Sequence, residues 1–131
     1  MPHPVWQCGL VAVGGALGAV ARFLTTKACL AAWPNYLGAG TLAVNLIGSF
    51  AIGLILGIPG PRSGISDGAR LLLVPGLLGG LTTFSALSYE TATYWSRTET
   101  FWIGWGHLAA NLLLGLAAVG LGSAVGRTLL P

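Results

Sequence analysis

Four runs of predominantly apolar residues, 5–24, 40–58, 71–95 and 101–125, divide this chain. About 20 apolar residues carry a helix across the hydrocarbon core of a bilayer, so the pattern predicts four transmembrane helices. The breaks "AAWPNYLG", "GIPGPRSGISDG" and "SRTET" collect proline, glycine and charge, the chemistry of short turns in water. Trp6, Trp33, Tyr36, Tyr94, Trp95 and Trp102 fall at the segment ends, where aromatic rings favour the headgroup level.

Inside the runs the polar positions are few and patterned. In the second, Thr41, Asn45 and Ser49 recur every four residues with Gly48 beside them; in the fourth, His107, Asn111 and Gly115 repeat the spacing. Amides and imidazoles are costly in lipid unless they face partners or water, which makes them candidates for an ion or substrate pathway. Hydrogen bonding between helices is the competing explanation. Arg22 closes the first apolar run and can snorkel to the surface as a cation at the mouth of a route. Glu90, the only carboxylate within a span, is expected near a helix end or the interface, close to Tyr94 and Trp95.

The third run holds "GGLTTFSALSYE". Its glycine pair and clustered Thr and Ser are weak helix formers, so a break is expected between Gly79 and Ser85. A helix that unwinds in lipid must have its freed N–H and C=O groups satisfied by protein, ion or water. Half-helix ends of this kind offer carbonyls to a cation and amides to an anion.

Composition agrees with this layout. The 131 residues are 54% hydrophobic and 7% charged, with a mean hydropathy of +0.80. That is too little charge to cover a soluble domain, so the whole chain reads as one integral all-α domain. Four short helices leave little room for a pore, which points to a homo-oligomer. Cys8 and Cys29 have no metal-ligand spacing and read as apolar packing residues. The first run lacks a basic stretch before it and is expected to be retained rather than cleaved. Six basic residues give no nucleic-acid patch. Arg62, Arg70 and Arg127 fall on one side of the membrane, Arg22, Lys27 and Arg97 on the other. Balanced charge removes the usual orientation bias, and oppositely oriented copies could pair about an axis in the membrane plane. The 21 glycines include Gly14 and Gly18, Gly53 and Gly57, and Gly115, Gly122 and Gly126, which fall near helical spacing and suit close backbone packing.

Together "GGALGAVARF", "GTLAVNLIGSFAIGLILG" and "GLLGGLTTFSALSYE" resemble the Fluc (CrcB) family of small fluoride channels of microbial cell membranes. The resemblance runs through all four helices in order. It implies an antiparallel, dual-topology homodimer with two pores that passively exports fluoride and rejects chloride. By motif, Asn45 matches the family's pore asparagine, Phe84 the first of two pore phenylalanines, Arg22 the vestibule arginine and Ser85 a hydroxyl of the polar track. Gly79 and Thr82 match the place where backbone carbonyls of both subunits hold a structural sodium ion, Na+. His107 and Asn111 fall where relatives often carry tyrosine and serine. The family's usual "TTFSTF" reads "TTFSAL" here, with Ala86 and Leu87 at the last two positions. An aromatic edge carries partial positive charge that leucine lacks, so the departure bears on conduction and on the number of working pores.

A fluoride pore must replace tightly held water with aimed donors and positive potential. The expected route runs from Arg22 along Asn45, the Phe84 edge, Ser85 and Thr41. No nucleophile with a base partner is visible and no enzyme is inferred. The rival class is a proton-coupled exporter of small cations or drugs, built from four short helices, which needs a carboxylate deep in a helix. A non-transporting assembly subunit would account for the glycines but not for the polar stripes. A heterodimeric channel with a homologous second subunit is a further alternative, raised by Ala86 and Leu87.

Overall fold

The computed structural model describes residues 4–58 and 64–129; Arg62 lies outside them. Helix α1 spans Pro4–Ala32, two turns beyond the apolar run. Thr25, Thr26 and Lys27 do not end it, because nothing in them opposes helical geometry. Pro34 does: the residue before a proline is pushed toward extended backbone. The 29 residues of α1 measure about 44 Å. The hydrocarbon layer is about 30 Å thick, so the polar last turns extend past it. Helix α2, Ala39–Gly57, follows a tight turn in which the Tyr36 amide donates to the Trp33 carbonyl at 3.1 Å.

The third crossing is assembled from pieces. Ser66 caps α3, Asp67–Leu71, by accepting from the Ala69 amide. Leu72–Leu78 then widens into a π-helical stretch around Pro75. A proline in a helix removes one N–H and clashes with the carbonyl four residues back, and a wider turn relieves that clash. Helix α4 is the single turn Gly79–Leu81. Thr82 and Thr83 are extended, and α5, Phe84–Trp95, begins under a cap in which Thr83 Oγ1 accepts from the Ala86 amide. Thr98–Thr100 makes a 3₁₀ turn into α6, Phe101–Leu129. The chain thus has four helical crossings long and apolar enough for a membrane, Asp67–Trp95 being the third.

Backbone meets backbone where the glycines lie. A side chain at Gly53 or Gly57 would strike Val119 or Ser123 of α6, and one at Gly122 or Gly126 would strike Phe50 or Leu54 of α2. Gly14 and Gly18 of α1 sit likewise against Leu72, Gly76 and Leu77 and the Gly80–Leu81 turn. Small residues allow this approach, and dispersion rather than water exclusion rewards it in lipid. The buried apolar side chains among the described residues are accordingly few: Val44, Leu78, Leu87 and Tyr94. Large apolar side chains such as Leu113, Leu116 and Trp102 point outward.

Candidate ion pathway

Two neighbouring features of the fold define the site. The first is an open groove of about 500 Å³ between α2, the third crossing and α6, with Asn45, Ser49, Thr83, Phe84, Leu87 and Asn111 on its walls. The second is a hydrogen-bonded file of side chains running from the groove toward the α1–α2 turn.

The file starts at Thr83. Its amide donates to Asn45 Oδ1 at 2.8 Å, and Asn45 Nδ2 donates back to the Thr83 carbonyl at 3.1 Å. One side chain therefore satisfies both backbone groups of the extended Thr83, as lipid requires. Asn45 Nδ2 also donates to Asn111 Oδ1 at 2.9 Å. Asn111 Nδ2 donates to the His107 carbonyl at 3.0 Å and faces His107 Nδ1 at 3.4 Å. His107 Nε2 lies 3.1 Å from Glu90 Oε2, and Thr41 donates to Glu90 Oε1 at 2.7 Å. The Tyr36 hydroxyl bonds His107 Nδ1 at 2.8 Å, and the Tyr94 hydroxyl accepts from the Gly38 amide at 3.3 Å.

One sequence expectation is corrected here. Glu90 lies within α5 rather than at its end and is buried, because Thr41 and His107 bring it two donors from other helices. Tyr94 is buried, and both rings turn inward with centroids 5.7 and 5.9 Å from the imidazole. A side chain at Gly38 would collide with His107, so the turn carries a glycine there. Burial raises the Tyr36 hydroxyl above its ordinary range, with Tyr94 and Glu90 adding to the effect.

The candidates Asn45, Asn111, His107 and Thr41 are thus joined in one network, with Glu90, Tyr36 and Thr83 added by the structure. Glu90 was traceable in principle: the end of the third crossing and the starts of α2 and α6 share one side of the membrane, and a lone intramembrane carboxylate is a functional candidate by default. Phe84 stands apart, 70% exposed at the groove. Ser85 is exposed, with Oγ 3.2 Å from Thr83 Oγ1. Leu87 is buried on the groove wall. Arg22 is half-buried one turn past Gly18, where α1 touches Leu77 and the Gly80–Leu81 turn. The one ion pair among the described residues is His107–Glu90, so none reaches Arg22.

The donor set at Gly79 and Thr82 fits a cation. In a continuing helix the Thr83 amide would turn back onto the Gly79 carbonyl, but here it is committed to Asn45. Thr82 is extended at ψ 154°, and its own carbonyl leaves the helical ladder. Hard, neutral oxygens of this type suit a cation rather than an anion.

Comparison with known proteins places the whole chain in a family. The model of the family described as CrcB-like protein, Camphor Resistance (CrcB), matches residues 9–123. A protein of Roseiflexus sp. (strain RS-1) named fluoride-specific ion channel FluC is 46% identical over 91% of this chain and 95% of its own length. Proteins of the same name from Allorhizobium ampelinum and Mesorhizobium japonicum are 41% and 42% identical, over 91% and 92% of this chain and 94% and 95% of theirs. With four apolar crossings and a match through nearly all of its length, this chain is a multi-pass membrane protein and belongs to the CrcB-like family.

Proposed function

We propose that the chain is a passive, fluoride-selective channel that exports fluoride across the cell membrane as an antiparallel homodimer. It is a transport protein rather than an enzyme, in keeping with relatives named fluoride-specific ion channels. The observation that carries the reading is the Thr83–Asn45–Asn111–His107 file, a line of amide and imidazole groups inside a membrane domain. Such groups are retained in lipid where something polar passes or binds.

In this reading Arg22 attracts the anion at the entrance. Asn45 Nδ2 and the Ser85 hydroxyl supply donors in place of water, and the exposed Phe84 ring offers its positive edge. Asn111, His107 and Thr41 continue the polar line. The open groove supports a dimer: Asn45, Ser49 and Thr83 stand on its otherwise apolar walls, polar groups in a membrane need protein or water beside them, and a second copy in the opposite orientation would close the groove with the same chemistry. Two copies give two pores. Na+ held by the Gly79 and Thr82 carbonyls of both copies would brace the interrupted helices and add positive potential at the centre.

The test is fluoride efflux from liposomes holding the purified protein, beside chloride and proton-driven cation uptake. Selective fluoride efflux is expected. Proton-driven cation movement without it would replace the channel by the exporter, for which the buried Glu90 is the one favourable observation. Fluoride flux only after a second, homologous chain is added would replace the homodimer.

A further inference from the structure

We propose that Glu90 and His107 form a proton-binding site on the file, and that one proton taken up there eases fluoride passage. The inference rests on the channel reading above, but its first half, the proton site, stands on geometry alone.

Hydrogen-bond direction can be followed along the file from a fixed starting point. A backbone amide can only donate, so the 2.8 Å contact from Thr83 N fixes the Asn45 oxygen toward it. Asn45 Nδ2 is then the donor to Thr83 O and to Asn111 Oδ1. That leaves Asn111 Nδ2 facing the His107 carbonyl and Nδ1. An amide N–H cannot face another N–H, so Nδ1 is the bare, accepting nitrogen, and the Tyr36 hydroxyl donates to it as well. The ring proton therefore sits on Nε2 and donates to Glu90 Oε2. Glu90 Oε1 accepts from Thr41, so both carboxylate oxygens are held by donors.

In this state the pair carries one net negative charge, that of the carboxylate, beside a route for an anion. The two donors that could serve a passing fluoride, Thr41 Oγ1 and His107 Nε2, are held by a tethered anion instead. A further proton on the ring goes to His107 Nδ1, its one bare nitrogen. The imidazolium then balances the carboxylate and the pair becomes neutral. The new Nδ1–H also opposes the Asn111 N–H and obliges the Tyr36 hydroxyl to accept instead of donate. Proton uptake thus removes the buried negative charge and loosens the Asn111 link in one step.

Groups facing the pair are Tyr36 from the α1–α2 turn, Thr41 from α2, Tyr94 one turn along α5 and Asn111 from α6. Among the described residues no cationic side chain joins them. His107–Glu90 is the one ion pair among the described residues, Lys27 lies over the Phe23 ring at 5.3 Å, and Arg97 is exposed beside the outer pocket at Tyr94. The charge state of the site is accordingly set by the pair itself.

Two measurements on the full-length protein test this. Fluoride efflux from liposomes is followed at fixed fluoride across about pH 5 to 8, the range in which an imidazole changes charge, with protein-free liposomes subtracting hydrogen fluoride that crosses the lipid unaided. The wild-type rate is expected to rise roughly threefold or more toward the acid end of that range, and His107→Gln to give a flat profile. Nitrogen-15 spectra of the imidazole, in a His3→Gln background that leaves His107 as the only histidine, are expected to show the neutral ring protonated on Nε2. Nδ1 should gain a proton on acidification, and Glu90→Gln should displace that titration. A pH-independent wild-type rate, or an unchanged profile in His107→Gln, overturns the gate. A neutral ring protonated on Nδ1, or a titration indifferent to Glu90→Gln, overturns the site. Absence of fluoride flux at every pH removes the channel reading and the gate with it, and the spectra then decide the proton site by themselves.

Discussion

Asn45 holds both backbone groups of Thr83, accepting from its amide at 2.8 Å and donating to its carbonyl at 3.1 Å. A side chain of α2 thereby stands in for the helical partners that an extended residue loses. The same amide nitrogen reaches Asn111, so the group that holds the helix interruption is also the one proposed to line the pathway.

Substitution separates the two roles. Asn45→Asp keeps the acceptor for the Thr83 amide but replaces the donor with a negative charge. Fluoride efflux is expected to fall by a factor of ten or more, about 1.4 kcal/mol in barrier, with the folded protein still recovered. Asn45→Ala strands the Thr83 amide and carbonyl and is expected to cost about 1–3 kcal/mol per stranded group, read as a lower melting temperature in detergent. Unchanged flux in Asn45→Asp would take Asn45 out of the pathway.

The α2–α6 contact predicts different outcomes for two glycines on one helix. A Cβ at Gly122 would meet the Phe50 carbonyl and the Leu54 amide, whereas at Gly106 nothing lies within 4 Å. Gly122→Ala is expected to destabilise by about 1–3 kcal/mol through overpacking against backbone that cannot yield. Gly106→Ala is expected to be neutral or to gain up to about 1 kcal/mol of helix propensity. Thermal unfolding of the two variants beside wild type reads the difference, and equal melting temperatures would contradict the contact.

Tyr36 makes stability depend on alkaline pH. Burial raises its hydroxyl in the folded protein, so above the ordinary tyrosine value of about 10 the unfolded chain releases a proton that the folded one retains. The contribution is fully present below that value and is lost as pH rises through the folded one. Melting temperature should therefore fall as pH climbs above about 10, and Tyr36→Phe should make the fall shallower. An equally steep decline in Tyr36→Phe would assign it to other groups.

Thr91 is buried, with a hydroxyl that has no hydrogen-bond partner among the described residues. Thr91→Val preserves the shape and removes the stranded hydroxyl, so it is expected to be neutral or stabilising by up to about 2 kcal/mol. A lower melting temperature for Thr91→Val would mean that the hydroxyl finds a partner in the assembled protein.

Much of this was legible in particular residues. Long apolar runs required four crossings, because an unpaired backbone in lipid has no other solution. The four-residue spacing of Thr41, Asn45 and Ser49 put them on one face of α2, and that of His107 and Asn111 did the same on α6. Local pattern was misleading where a distant partner intervenes. Glu90 reads from its neighbours Tyr94 and Trp95 as a helix-end residue, while the groups that bury it inside α5 lie 49 residues away at Thr41 and 17 away at His107. The contacts of Tyr36 and Tyr94 with His107 are hidden from the local pattern for the same reason.

What the sequence by itself determined is therefore what each segment decides alone: which residues can enter lipid, where proline and glycine interrupt them, and which polar groups share a helical face. Tertiary structure alone decided how the polar groups are satisfied. Only packing brings Asn45 to Thr83, Asn111 to His107 and His107 to Glu90. The reason is energetic: a buried amide, imidazole or carboxylate in a membrane is tolerable only with partners, and here those partners come from other helices.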